Sequence, residues 1–326
     1  MCHSVCYNYK NCNRFSTKGD DMKIHHIIYN PFAGNGRGDE VIKIFENRDD
    51  LYPRETLRFY NLLEIDDYEW LFGRFSPEDD VIICGGDGTL SRFVNDISDI
   101  EFNNDIYYFA TGSGNDFLRD IGKRGSNYPV LINDYIKNLP IITVNGENHK
   151  FINGIGYGID GYCCEEGDKL RQKTKKPINY TLIALKGLLY AFHRVSAKIT
   201  VDGREYLYKN VWLAPTMNGR YFGGGMMAAP DQNRLRSDGM VTNVVMFCKS
   251  KLKTLFAFPS IFKGHHIKKH GDMVKVHEGH KIKVEFDRPT PLQIDGETVR
   301  GVTEYCVEAV SNVGRGKQKV LNAAQV

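Results

Sequence analysis

Apolar and polar positions fall into two rhythms along the chain. Up to about Val144, short β-branched apolar runs alternate with stretches whose apolar residues recur at three- and four-residue spacing. Residues 23–29, 55–60, 81–84, 106–110 and 141–144 show the first pattern and predict strands. The stretches between them predict helices at about 39–47, 66–75, 90–97 and 131–138. In the first of these, Val41, Ile42 and Phe45 share a face, and in the third Leu90, Phe93, Val94 and Ile97 do so. Strands alternating with helices imply a parallel sheet covered on both faces. Beyond Val144, strand-like runs follow one another at 150–154, 197–201, 211–215, 240–247, 274–277, 282–286 and 292–294. Asn145-Gly146 and Asp202-Gly203 separate such runs as hairpin turns do. Helices are expected there only at about 179–193 and 252–262. The fold class is thus α/β followed by mostly β: a doubly wound parallel-sheet domain over 22–145, then an antiparallel β-sandwich over 146–310. Residues 1–21 read as a poorly ordered leader, with Met22 a candidate start, and about 311–326 as a segment that returns to the first domain.

Three strand ends run into glycine-rich loops. Tyr29 is followed by Asn30-Pro31-Phe32-Ala33-Gly34-Asn35-Gly36-Arg37-Gly38, and Cys84 by Gly85-Gly86-Asp87-Gly88-Thr89-Leu90. Ala110 is followed by Thr111-Gly112-Ser113-Gly114-Asn115-Asp116-Phe117-Leu118-Arg119. Ligands of open α/β sheets sit beyond the carboxyl ends of the strands, so the three loops are expected to meet at one crevice. A helix start beneath a glycine loop offers free amides and the positive end of a dipole, which suits phosphate. Asp87 sits at the tip of that turn, where a carboxylate either meets a cation or caps a helix. Asp116 suits the start of the next helix on the same ground.

Composition narrows the partners. The 326 residues are 41% hydrophobic and 25% charged, with net charge +3, which fits a globular chain and gives no sign of a nucleic-acid binder. Eight cysteines without a C-x-x-C pair point to reduced thiols and a cytoplasmic location. His3 with Cys2, Cys6 and Cys12 reads as part of the leader rather than as a metal site. No apolar stretch reaches the roughly 20 residues that a spanning helix needs. Basic residues cluster at Lys169, Arg171, Lys173, Lys175 and Lys176, and again at Lys249, Lys251 and Lys253. Each basic residue near an anionic leaflet is worth roughly 1 kcal/mol, so a peripheral membrane surface is a candidate partner. His265, His266 and His270, interleaved with lysines, read as exposed surface.

Asn30-Pro31 with Gly34, Gly85 to Leu90, and Gly112-Ser113-Gly114-Asn115-Asp116-Phe117 with Arg119 together resemble the diacylglycerol kinase catalytic domain. The likeness is greatest to its soluble bacterial lipid kinases; sphingosine kinases are related, and NAD kinases more distantly. Tyr221 to Met226, Pro230, Ser237-Asp238-Gly239 and Ile294-Asp295-Gly296-Glu297 extend the resemblance nearly to the end of the chain. It implies ATP and magnesium as cofactors, a lipid hydroxyl as acceptor, and leaves room for a homodimer. Carried over by position, Asn30, Pro31, Phe32, Ala33 and Gly34 would contact phosphate. Gly85, Gly86, Asp87, Gly88, Thr89, Leu90 and Ser91 would cradle the nucleotide, and Ser113 would replace a family threonine. A second family threonine has no clean counterpart; Asn61 is nearest. Asp238, with the carbonyls of Leu235 and Met240, would form a structural magnesium site. Glu297 falls on the family's proton acceptor, with Asp87 as the competing base. The rival functions are a kinase for a soluble acceptor of the NAD type and a nucleotide-binding regulator without turnover.

Overall fold

The computed structural model describes residues 22–310 apart from 37, 39, 113 and 175–177. The expected leader and the returning C-terminal segment lie outside the described residues. Strands β1 (His25–Tyr29), β2 (Leu57–Asn61), β3 (Asp80–Gly85), β4 (Asp105–Ala110) and β5 (Val130–Leu131) form one sheet in the order β2-β1-β3-β4-β5. The first four are parallel, and β5 runs antiparallel to β4. Helices α1 (Ala33–Gly36) to α6 (Asn133–Ile136) connect them: α2 (Glu40–Glu46), α3 (Tyr68–Phe72), α4 (Asp87–Asp96) and α5 (Asp116–Asp120) lie between. The central strand β3 is buried along its whole length, as a sheet between two helix layers requires. Ile28, Val81, Ile83, Ile106 and Tyr108 pack with Leu71, Leu90, Phe93 and Phe117 of α3, α4 and α5. Ile27, Ile82, Cys84 and Phe109 face the other way, onto Val41 and Phe45 of α2. Chain direction across the sheet reverses between β1 and β3, which puts the crevice at the ends of those two strands.

The second sheet has ten strands. They are β6 (Ile141–Val144), β7 (Glu147–Lys150), β8 (Gly154–Tyr157), β9 (Val195–Val201), β10 (Arg204–Leu213), β11 (Thr216–Met217), and, after the small pair β12 (Tyr221–Phe222) and β13 (Met226–Met227), β14 (Val241–Phe247), β15 (Val274–Gly279), β16 (Lys281–Ile294) and β17 (Glu297–Glu308). Strand β16 pairs with β9 through Ile282–Phe286 and with β8 through Leu292–Ile294. That double pairing joins the run β8-β11-β14-β10-β9 back onto β16, so the sheet closes around a core containing Ile155, Tyr157, Ile199, Val211, Val284 and Tyr305. Outside it lie α7 (Ile159–Arg171), α8 (Tyr180–Lys186), α9 (Lys251–Ala257) and α10 (His266–Lys269). Asn145-Gly146, Asp202-Gly203 and Asp295-Gly296 turn the hairpins with positive φ at both positions.

Several expectations change. Residues 141–144, expected to close the first domain, pair with β17 and β7 instead, because Ile142 and Val144 complete the second core. The runs at 282–286 and 292–294 are one bent strand. The expected helix over 179–193 ends at Lys186 and continues as a π-helical turn over Gly187–Ala191. His266 is fully buried, not surface: its Nε2 lies 3.0 Å from the Ala228 carbonyl, and burial lowers its pKa to about 4.

Candidate functional site

Three loops meet at the carboxyl ends of β1, β3 and β4. The Asn30 amide bonds the Cys84 carbonyl at 3.1 Å, and the Thr111 amide bonds the Gly85 carbonyl at 2.8 Å, so both neighbours are laced to β3. Asn30 Nδ2 donates to Thr89 Oγ1 at 3.0 Å, while Asn30 Oδ1 accepts from the Phe32 amide at 2.9 Å. The loops approach so closely that a methyl on Gly34 would lie 2.9 Å from the Thr111 oxygen. One on Gly112 would lie 2.8 Å from the Gly86 Cα. Glycine at these positions is therefore a condition of the convergence. Gly86 precedes α4 in extended conformation, and space beside Gly88 is open. The first-turn amides of this ten-residue helix thus face the crevice, as an anion site requires.

Side chains of the expected site divide into two sets. Asn30, Pro31, Ala33, Gly34, Gly85, Gly86, Asp87, Gly88 and Thr89 lie along these loops, with Phe32 exposed among them. Ser113 lies outside the described residues, though Gly112 and Gly114 bring its loop beside Gly86 and Asp87. Leu90 is different: its side chain is fully buried and its amide bonds the Gly86 carbonyl, so neither is open to a nucleotide. The Ser91 hydroxyl is engaged elsewhere, donating to Asp295 Oδ2 at 2.9 Å. Asn61 caps its own turn, accepting from the Leu63 amide and donating to Glu64.

Asp87 caps a helix, but not its own. Its two oxygens accept from the amides of Asp116 and Phe117, at 2.9 and 3.1 Å, and so anchor the start of α5. Next to it Asp116 is 3% exposed and accepts from the Gly224 amide at 2.7 Å. Its other oxygen has no hydrogen bond, only the Arg119 guanidinium 3.9 Å away. Burial, with the Asp87 charge second, pushes Asp116 up to about 6. Asp160, at the start of α7, is likewise raised to about 6, mainly by burial, with Gln293 opposing and Asp116 adding to the rise. Gly223, Gly224 and Gly225, all at positive φ, fold over this pair: Gly223 lies against Asp160, and Gly225 against Arg119. Asp160 escapes a reading of the sequence because Gly154-Ile-Gly-Tyr-Gly-Ile-Asp-Gly161 looks like a loop; an acid beginning a glycine-rich helix is the signal that could have found it.

Among the described residues no three His, Cys, Asp or Glu side chains are grouped to hold a metal ion. Two carboxylates with an orphaned oxygen fit a magnesium ion that takes its remaining ligands from phosphate and water. Glu297 is exposed at the start of β17, and the turn before it is fixed. Asp295 in that turn accepts from Ser91 on α4 and from the amides of Ile152, Asn153 and Gly154 at 2.6–3.0 Å.

Fold and site together define a two-domain protein, a parallel α/β domain facing a closed antiparallel one across a glycine-lined cleft. Residues 25–141 match the model of the diacylglycerol kinase catalytic domain, and residues 153–311 that of the YegS C-terminal NAD kinase beta sandwich-like domain. Together the two matches span most of the chain, the first of them on the domain that carries the glycine loops. A Mycobacterium tuberculosis diacylglycerol kinase is 24% identical over 58% of this chain and 62% of its own length, so this chain spans less than two thirds of that relative. A Bacillus subtilis diacylglycerol kinase is 24% identical over 67% of the chain and 70% of its own. Two Bacillus anthracis structures share the fold. One, provisionally described as a diacylglycerol kinase, has TM-score 0.63 and 20% identity over 91% of this chain and 97% of its own. The other, described as a diacylglycerol kinase, has TM-score 0.56 and 19% identity over 89% and 94%.

Proposed function

We propose that the chain is a kinase transferring the γ-phosphate of ATP to the hydroxyl of a lipid, diacylglycerol or a close relation. The observation that supports this best is the meeting of three glycine loops at the first turn of α4, with two buried, incompletely paired carboxylates beside it. Phosphoryl transfer is mainly positioning and charge neutralisation, which backbone amides and a bound cation supply. The amides of Asp87, Gly88 and Thr89 would hold phosphate oxygens, with Asn30 fixing Thr89 in place. Asp116 and Asp160 would hold magnesium, which when bound offsets the phosphate charge. Glu297 is our choice of proton acceptor. Asp87 is already engaged by the two amides that it caps, whereas Glu297 stands exposed on a fixed turn.

A lipid acceptor also suits the outer surface of the second domain. Leu182, Leu185 and Tyr190 are exposed on one segment, and Leu252, Phe256 and Phe262 on the next. Lys251 Nζ donates to the Leu189 carbonyl at 2.9 Å and ties the two together. Exposed Lys186, Lys249, Lys253 and Lys263 flank them. Apolar side chains rimmed by lysine are the composition of a face that docks on an anionic bilayer. No helix among the described residues is long and apolar enough to cross one. A homodimer remains a proposal for sedimentation to test.

The deciding assay follows ADP release with magnesium and ATP against lipids in detergent micelles, water-soluble alcohols and NAD. Release is expected only with lipid, and Glu297→Gln should lower turnover about 10²- to 10⁴-fold with little change in thermal midpoint. Equal turnover on NAD would favour the soluble-acceptor reading. Magnesium-dependent ATP binding with no product on any acceptor would favour a regulator.

A further inference from the structure

The family resemblance puts a structural magnesium ion against the Asp238 carboxylate and the carbonyls of Leu235 and Met240. The donors present do not fit one. Arg236 meets the Asp238 carboxylate as a fork, Nε to Oδ1 at 2.5 Å and Nη2 to Oδ2 at 3.1 Å. Its Nη1 donates to Glu278 Oε1 at 2.9 Å and to Gln232 Oε1 at 3.1 Å. The Met240 carbonyl accepts from Gln232 Nε2 at 3.0 Å. Gln232 is 4% exposed, and its amide is complete. Nε2 donates to Met217 and Met240, and Oε1 accepts from Arg236 and Thr242.

Seating a divalent ion there has a direct cost. The guanidinium must leave a bidentate, charge-assisted pair. The Met240 carbonyl already holds the buried Gln232 amide in place, which leaves one of its two lone pairs for any other partner. Magnesium further requires near-octahedral oxygens at about 2.0–2.1 Å, and a cationic side chain already faces the carboxylate. We propose that Arg236 is a built-in cation: its guanidinium, rather than a bound divalent ion, ties the 232–240 loop to Glu278 on β15 and so fixes the entry into β14. If Arg236 is removed, Asp238 and Glu278 lose their shared cation, and a divalent ion becomes the remaining means of joining them.

The test uses the full chain without nucleotide. Ions bound per chain are counted by calorimetric titration with Mg2+ and Ca2+, and thermal midpoints are measured with chelator and with each ion. Wild type and Asp238→Asn should bind the same number of ions, because neither holds one at Asp238. Arg236→Ala should unfold about 3–6 °C lower in chelator, and divalent ions should raise its midpoint by more than they raise the wild type's. One ion fewer in Asp238→Asn than in wild type would overturn the proposal, as would an Arg236→Ala midpoint no more responsive to ions than the wild type's. Should Arg236→Ala fail to fold, the ion count on the other two proteins decides alone. Asp116 and Asp160 are unchanged in every variant, so ions held there cancel from the comparison.

Discussion

Asp116 is held under tension by its surroundings. It is buried beside Asp87, and the amide of Gly224 and the more distant guanidinium of Arg119 only partly compensate. A carboxyl whose folded pKa is raised disfavours its own charged form. Its contribution to stability is therefore greatest below about pH 4 and falls as pH rises through about 6. In ligand-free protein at pH 8, Asp116→Asn should raise stability by on the order of 1–3 kcal/mol, with the gain vanishing near pH 4. Denaturant titrations of both proteins at the two pH values check this, and the turnover proposed above should be lost in the variant. Gain of stability with loss of activity is the mark of a residue placed for a ligand. The motif residues Asn30, Asp87 and Gly112 were legible in the sequence because a glycine loop directly after a buried apolar strand is a strong local pattern. The partners of Asp87 were not, since the capped amides belong to a helix 29 and 30 positions further on.

At the scale of elements, the hairpin between β16 and β17 does more than reverse the chain. Its Asp295 joins α4 of one domain to the 152–154 segment of the other. Ser91→Ala removes one of four bonds and should cost about 1 kcal/mol. Asp295→Ala orphans three buried amides and should cost about 3–5 kcal/mol. Urea midpoints for the two variants give the ratio, and equal losses would mean that the backbone bonds contribute nothing. Elements with one apolar period were legible from sequence, as in α4 and β3. Strand β17 was not, because bulges opposite Thr290 and Leu292 shift its phase and most of its side chains are polar. Helix α7 was hidden by its glycines. They are there for contact: a methyl on Gly161 would collide with the Pro291 carbonyl, and one on Gly167 would lie 2.7 Å from the Tyr180 ring.

Across the whole molecule, the two domains meet through directed polar bonds. Asn95 exchanges two bonds with the Lys150 backbone at 2.8 and 2.9 Å, and Asp116 accepts from Gly224. Asp120 at the end of α5 receives Arg234 Nε at 2.6 Å and Arg220 Nε at 2.7 Å. Arg234 is 4% exposed at its side chain and also reaches the Ile152 carbonyl and Asn153. Asp120→Ala should therefore cost about 3–5 kcal/mol by stranding that guanidinium, and Asp120→Ala with Arg234→Met should recover part of the loss. Calorimetric scans of the single and double variants measure the recovery. None of this seam was visible in the sequence, since acid and base lie 114 positions apart.

The bond between Ser91 and Asp295 spans 204 positions, nearly two thirds of the chain. On a ribosome the helix below the glycine turn emerges early, while its acceptor is still unmade. The first sheet can gather during synthesis, but the amides at 152–154 wait uncapped until the hairpin carrying Asp295 arrives. The mouth between the halves is thus completed only once Asp295 has emerged, and a chain halted before that point lacks the bond that joins them.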